Sequence, residues 1–193
     1  MSSSSSEQQP FKTPLREPQT IITTHDEAGK ATIHSTRPAQ FKPYEGGTMA
    51  FNQIFTNPFR ADLNDEKDIS YHDDIMAGGN LGLAKKGGVV CRMVDFSPGY
   101  VCMMHRTQSL DFGVVVEGEV ELILDDGTER GMGRGDVAVQ RGTMHAWRNP
   151  SKTEWARMMF VLQDMKPLVI NGERYGEDYG EGTEGLPKSG NDD

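Results

Sequence analysis

This chain of 193 residues is poor in cysteine, with only Cys91 and Cys102. Two cysteines cannot build a disulfide framework, and their separation is not the CxxC spacing of a zinc site, so both are expected to be reduced, half-buried thiols of a cytoplasmic protein. Basic residues are also scarce, at 20 Lys and Arg against 29 Asp and Glu. Without a basic patch there is nothing to neutralise phosphates, so neither nucleic acid nor a membrane is an expected partner. No apolar run approaches the roughly 18 residues that would cross a bilayer. Met1 and the five serines after it lack the basic start and apolar stretch of a secretory signal. Motifs for several chemistries are missing as well: there is no GxSxG elbow, no P-loop and no GxGxxG after a strand.

What the chain does contain is glycine, 22 residues of it, which favours tight turns between short strands. Residues 1–18 read as a polar, disordered N-terminal tail. Residues 19–88 read as an N-terminal arm, with a hairpin of segments 21–25 and 31–34 turning at Gly29, a further strand near 49–55, and an acidic, irregular stretch over 57–88. Between 89 and 165 the pattern becomes dense. Strands are expected at 89–96, 100–107, 112–116, 120–124, 137–140, 145–148 and 155–162, with turn residues between them. Val120, Leu122 and Leu124 alternate with Glu119 and Glu121, and no convincing helix intervenes, so this block reads as antiparallel all-β. Residues 166–193 read as a solvated acidic tail; from 173 onward seven acids face only Arg174 and Lys188.

Five histidines are present. His25, His34 and His72 lie outside the strand-dense block and read as surface or structural. His105 and His145 each follow a glycine-marked turn and sit in or beside a strand. If the strand is regular, His105, Thr107 and Met103 share a face and Asp111 keeps the same parity, while Arg106 and Cys102 point the other way. Two imidazoles and one carboxylate would then meet inside a barrel.

The stretches HRTQSLDFGVVVEGEVEL and GDVAVQRGTMHAWRN resemble the paired motifs of the cupin superfamily, G(X)5HXH(X)3–4E(X)6G and G(X)5PXG(X)2H(X)3N. Gly99, His105, Asp111 and Gly118 fall on the first motif; Gly135, His145 and Asn149 fall on the second, which is one residue short and has Arg141 where proline is usual. The likeness covers about residues 90–162 and is strongest to single-domain cupins common in bacteria and in fungal natural-product gene clusters. It implies a double-stranded β-helix, or jelly-roll barrel, and a homodimer formed by exchanging N-terminal strands.

Cupin metal sites usually take three histidines and a glutamate. Here Thr107 stands for the second histidine and Asp111 for the glutamate, leaving His105, Asp111 and His145 as the metal ligands the resemblance implies, for Fe, Mn, Zn or Ni. A metal-free acid–base site built from the same residues is the alternative, as is a binding barrel in which they are structural. Thr107 is expected as a hydrogen-bond partner, Met103 as an adaptable apolar wall, and Gln140 as an orienting amide. Arg141 and Arg148 are candidates to clamp a substrate carboxylate. The function these features imply is a lyase or isomerase (decarboxylation, dehydration or enolisation) acting on a carboxylated or polyketide-like small molecule. A mononuclear iron oxygenase and a non-catalytic small-molecule-binding cupin are the other readings.

Overall fold

In the computed structural model, residues 13–180 and 185–191 are described. Most of the tail expected over 1–18 lies outside them, as do residues 181–184 of the acidic tail. The first element is a hairpin of β1 (Gln19–His25) and β2 (Ala31–Pro38). Its turn is made locally: the Asp26 carboxylate accepts from the amides of Ala28 and Lys30, and Gly29 takes a φ of +75°, where a side chain would be strained. Next come β3 (Lys42–Tyr44) and β4 (Met49–Pro58). The stretch expected to be irregular instead holds a helix, α1 (Lys67–Gly78), ending at Gly79 in the left-handed conformation. Its apolar positions are sparse and Asp and His interrupt them, which hid the period; contact of Ile69 and His72 with the body of the protein supplies the stability that propensity does not.

The barrel strands follow: β5 (Gly88–Phe96), β6 (Ser109–Glu117), β7 (Val120–Leu124), β8 (Glu129–Met132), β9 (Val137–Arg141), β10 (His145–Arg148) and β11 (Ala156–Asp164). A final hairpin joins β12 (Leu168–Ile170) to β13 (Glu173–Tyr175). All pairings are antiparallel. Six strands form one sheet in the order β3-β4-β5-β11-β6-β9, and three form the facing sheet, β10-β7-β8. The result is an all-β jelly-roll barrel. Its inner faces bury Val90, Val94, Phe96, Val115, Val120, Trp147, Met158 and Phe160 against one another. Each such side chain contributes about 1.5–3 kcal/mol relative to exposure. Among the described residues no helix is long and apolar enough to cross a membrane.

Two glycines set close approaches inside this frame. Gly118 turns β6 into β7 at φ +72° with its α-carbon against Trp155 and Ala156. Gly113 lies opposite Phe160 across the β6–β11 ladder, where a methyl group would meet the phenyl ring at 2.8 Å. At the outer end of β11, Arg157 and the buried Asp95 carboxylate make two parallel hydrogen bonds of 2.5 and 2.6 Å, and Arg157 also donates to the carbonyl of Arg16.

Residues 100–107 do not form a regular strand. They make bridges to β10: Asn149 N–H donates to Tyr100 O, Cys102 N–H to Trp147 O, and His105 and His145 exchange both backbone bonds at 2.8 and 2.9 Å. From Cys102 to His105 the chain advances three residues while the partner advances two, so Met103 and Met104 contain a bulge. The bulge reverses parity, and Cys102 faces the same cavity as His105 rather than the opposite side.

The acidic tail also differs from expectation. Tyr179, Ser189 and Asn191 are buried. Tyr179 Oη accepts from the Leu83 amide and lies 2.9 Å from Ser189 Oγ, which accepts from the Ala84 amide. Asn191 donates to Gln108 O and to Asp164. A few aromatic and amide side chains thus dock a segment whose composition is otherwise that of a solvated tail.

Candidate active site

The barrel encloses a cavity of about 60 Å³. Its walls are Phe51, Val94, Phe96, Met103, Trp147, Phe160 and Leu162, joined by Leu83 and by Leu186 of the C-terminal segment. Into this apolar space project His105, His145, Thr107, Asp111, Cys102 and Arg92.

The two imidazoles are brought together by backbone pairing, since residues directly opposite in an antiparallel bridge carry side chains on one face. Their ring centroids are 4.4 Å apart. His105 Nδ1 lies 3.0 Å from Met103 O and His145 Nδ1 lies 2.9 Å from Thr143 O. A carbonyl oxygen only accepts, so each Nδ1 carries the proton and each Nε2 is left as a free base. Burial, and then the neighbouring His105 ring, drives the His145 pKa down to about 3; burial also lowers that of His105, against the opposing effect of the Met103 carbonyl. Both rings are neutral at physiological pH.

Asp111 is held by β6 on the inner face. Burial pushes its carboxyl up to about 6, against the opposing pull of bonds from Ser109 and Thr107 and of the Arg92 charge. Thr107 Oγ1 donates to Asp111 Oδ2 at 3.3 Å and accepts from Ser109 Oγ at 2.6 Å, so Thr107 is the hydrogen-bond partner its chemistry suggested. Asp111 Oδ1 is buried without a partner. Gln140 stands directly across the ladder from Asp111, accepts from Thr143 through Oε1, and leaves Nε2 unpaired; it is buried beside the carboxylate rather than lining the cavity. Met103 lines the cavity as expected.

Three expectations need correction. Arg141 is exposed, because inward Ala138 and Gln140 put residue 141 on the outer face of β9. Arg148 turns outward from β10 and pairs with Glu121 and Glu129 on the neighbouring strands, so neither arginine reaches the cavity. The metal set is the third: among the described residues no three His, Cys, Asp or Glu side chains gather closely enough to hold one ion. Two imidazole Nε2 atoms have the backbone anchoring that suits a metal ligand, but the shorter aspartate, engaged by Thr107, does not join them. The residues present do not make the three-ligand site. Asn149, the last residue of the second motif, is structural: its amide donates to the carbonyls of Phe96, Ser97 and Glu154.

Arg92 was overlooked in the sequence. It is 2% exposed, and Nη2 donates to Gly82 O and Leu83 O, both at 2.6 Å. The signal was there: Val90, Arg92, Val94 and Phe96 share one parity, so a guanidinium was written into the core face of a central strand. Cys102 is no nucleophile, since burial pushes its thiol up to about 12 and its sulfur accepts from the Trp147 amide.

A larger open groove, about 580 Å³, lies between β2, β3, β4 and α1. Its histidine, aspartate and arginine are already paired, Arg37 with Asp73 through two hydrogen bonds and His72 Nδ1 with the Thr56 amide, although Gln53 Oε1 in its lining is buried without a partner. The smaller cavity is the chemically equipped one.

Comparison with known proteins bears on the family. The family model described as Cupin domain matches residues 92–162. Oryzines biosynthesis cluster protein J of Aspergillus oryzae is 43% identical over 163 residues, 83% of this chain and 90% of that protein. The cupin-domain-containing oxidoreductase srdB of Neurospora crassa is 39% identical over 170 residues, 86% and 83% of the two chains. Among solved structures, the polyketide cyclase RemF from Streptomyces resistomycificus is 17% identical, with 70% of this chain and 75% of that one covered at a TM-score of 0.43.

Proposed function

The chain belongs to the cupin family, and on that premise we propose that it is a small-molecule enzyme of specialised metabolism whose barrel cavity performs proton transfer, in a reaction of the lyase or isomerase type. The observation that carries the reading is Asp111: a carboxyl held near 6 in an apolar cavity, facing two imidazoles whose Nε2 lone pairs are free. A group titrating near the working pH exchanges protons best, because it is available in both forms and neither is far uphill. Asp111 therefore carries the proton to or from a carbon or leaving oxygen of the substrate. His105 and His145, neutral and pinned at Nδ1, accept hydrogen bonds from substrate hydroxyls and fix its orientation. The apolar walls exclude water, which strengthens each of these contacts.

The substrate class that fits is a carboxylated or polyketide-like molecule with an acidic C–H or a hydroxyl beside a carbonyl. The cavity of about 60 Å³ is small, which favours a compact substrate or the compact reacting end of a larger one.

A second reading, oxidation of the substrate, is favoured by one observation, the name oxidoreductase carried by the Neurospora relative. One experiment separates the two. The protein is incubated with a panel of β-keto acids and β-hydroxy ketones in deuterium oxide, anaerobically and with EDTA, and products are read by mass spectrometry. Deuterium entering at the carbon beside the carbonyl, lost in Asp111→Asn, supports proton transfer. Turnover that appears only with oxygen, and consumes it in step with substrate, replaces this reading with the oxidative one.

A further inference from the structure

The guanidinium of Arg92 is placed where a structural arginine would be costly. It lies on the inner face of a central strand, beneath the Phe51 ring at 5.1 Å, and borders the cavity that holds His105, His145 and Asp111. Among the described residues its hydrogen bonds run from Nη2 to two neutral carbonyls, those of Gly82 and Leu83. Nε is buried with no partner, and among the described residues no carboxylate lies within ion-pair distance. A buried cation without a direct ion-pair contact is unfavourable unless something compensates it, and the carboxyl that acts on it electrostatically, Asp111, makes no contact with it. The other charged group facing the space is Asp111, whose Oδ1 is likewise unpartnered. Arg92 and Asp111 thus line a common cavity, each with one buried polar atom, a donor and an acceptor, that has no partner.

We propose that Arg92 is the anion-reading residue of this site, and that the cavity takes a substrate whose carboxylate or enolate oxygen accepts a charge-assisted hydrogen bond from Arg92 Nε. The proposal rests on the barrel cavity being the substrate site; it names the part of the substrate that is recognised and the residue that recognises it. Arg92 replaces Arg141 and Arg148 in this role, since both of those lie on outer faces. An anionic oxygen there would meet the fixed guanidinium edge, which its bonds to the 82–83 backbone hold in one orientation. The same oxygen would lie in reach of the proton-carrying Asp111, which is least repulsive when protonated. Burial lowers the Arg92 pKa to about 10, so the side chain stays cationic throughout the physiological range.

The test uses acetate and acetamide, which share a shape and differ in charge, titrated into the full chain at pH 6 and followed by the Trp147 indole and imidazole signals in nuclear magnetic resonance. Acetate is expected to bind at least tenfold more tightly than acetamide to the native protein. Arg92→Met should bring the ratio to within twofold while leaving the acetamide affinity in place. Equal binding of the two probes by the native protein overturns the proposal, and so does an Arg92→Met protein that keeps the tenfold preference. If Arg92→Met does not fold, Arg92→Gln is measured in its place, and the native ratio remains decisive. Because binding is read without turnover, this result and the deuterium experiment fail independently.

Discussion

Two regions of this molecule contain the same residue types and reach opposite outcomes. The groove between the arm and α1 holds a histidine, an aspartate and an arginine: His72, Asp73 and Arg37. The barrel cavity holds His105, His145, Asp111 and Arg92. In the groove every one of these groups is committed. Arg37 and Asp73 bind each other at the surface, which lowers the Asp73 pKa and raises that of Arg37, and His72 Nδ1 accepts from a backbone amide. In the cavity the backbone bonds orient the imidazoles, yet Arg92 Nε, Asp111 Oδ1 and, beside them, Gln140 Nε2 have no partner. Unspent hydrogen-bonding capacity, held in place and kept from water, is what distinguishes a site from an assembly of polar side chains.

The comparison is broken most directly by matched substitutions. Asp111→Asn is expected to lower turnover by about 10²–10⁴, the usual worth of a positioned proton carrier. Asp73→Asn in the groove should leave turnover within about twofold. Equal losses in steady-state rate would show that the groove, not the cavity, holds substrate.

Acidification tests burial in both regions together. His72, His105 and His145 all have pKa values depressed by burial, so below about 6.5 the unfolded chain binds protons that the folded one refuses, and stability falls. Asp111 acts the other way: raised to about 6, it binds a proton in the folded state from there down to its ordinary 3.8 and offsets one imidazole. Three depressed imidazoles outweigh one raised carboxyl, so the net effect of acidification is a loss of stability. Urea midpoints measured at pH 7.5, 6.5 and 5.5 should fall a little over the first step and more steeply over the second.

The docked C-terminal segment gives a smaller effect. Tyr179→Phe leaves the buried Leu83 amide without its acceptor and should cost about 1–3 kcal/mol in chemical denaturation. The same change should loosen the 82–83 segment that holds Arg92 and weaken acetate binding. Smallest of all is Arg37→Ala, which removes a surface pair and should cost about 0–1 kcal/mol, diminishing further in high salt.

Much of this was legible in the order of residues. Period-2 alternation, glycine at turns and the two histidine-bearing stretches point to an antiparallel barrel with His105, Asp111 and His145 inside it, because strand parity and turn chemistry are local properties. The helix over 67–78 was not legible, since its stability comes from contact with the barrel rather than from its own weak periodicity. Nor was the docking of Tyr179, Ser189 and Asn191, whose partners lie about a hundred residues earlier for Tyr179 and Ser189 and are fixed only when the sheets close.

By itself, then, the sequence determined which residues line the barrel wherever a strand is regular: Asp111 inward, and, by a parity that only needed to be followed, Arg92 as well. Tertiary structure decided the rest. A bulge at Met103–Met104 brought Cys102 and His105 to one cavity, pairing sent Arg141 and Arg148 outward, and closure of the barrel left the imidazoles, carboxyl and guanidinium together among apolar walls. Burial and the absence of a partner are properties of the surroundings of an atom, and no stretch of chain contains them until distant strands have met.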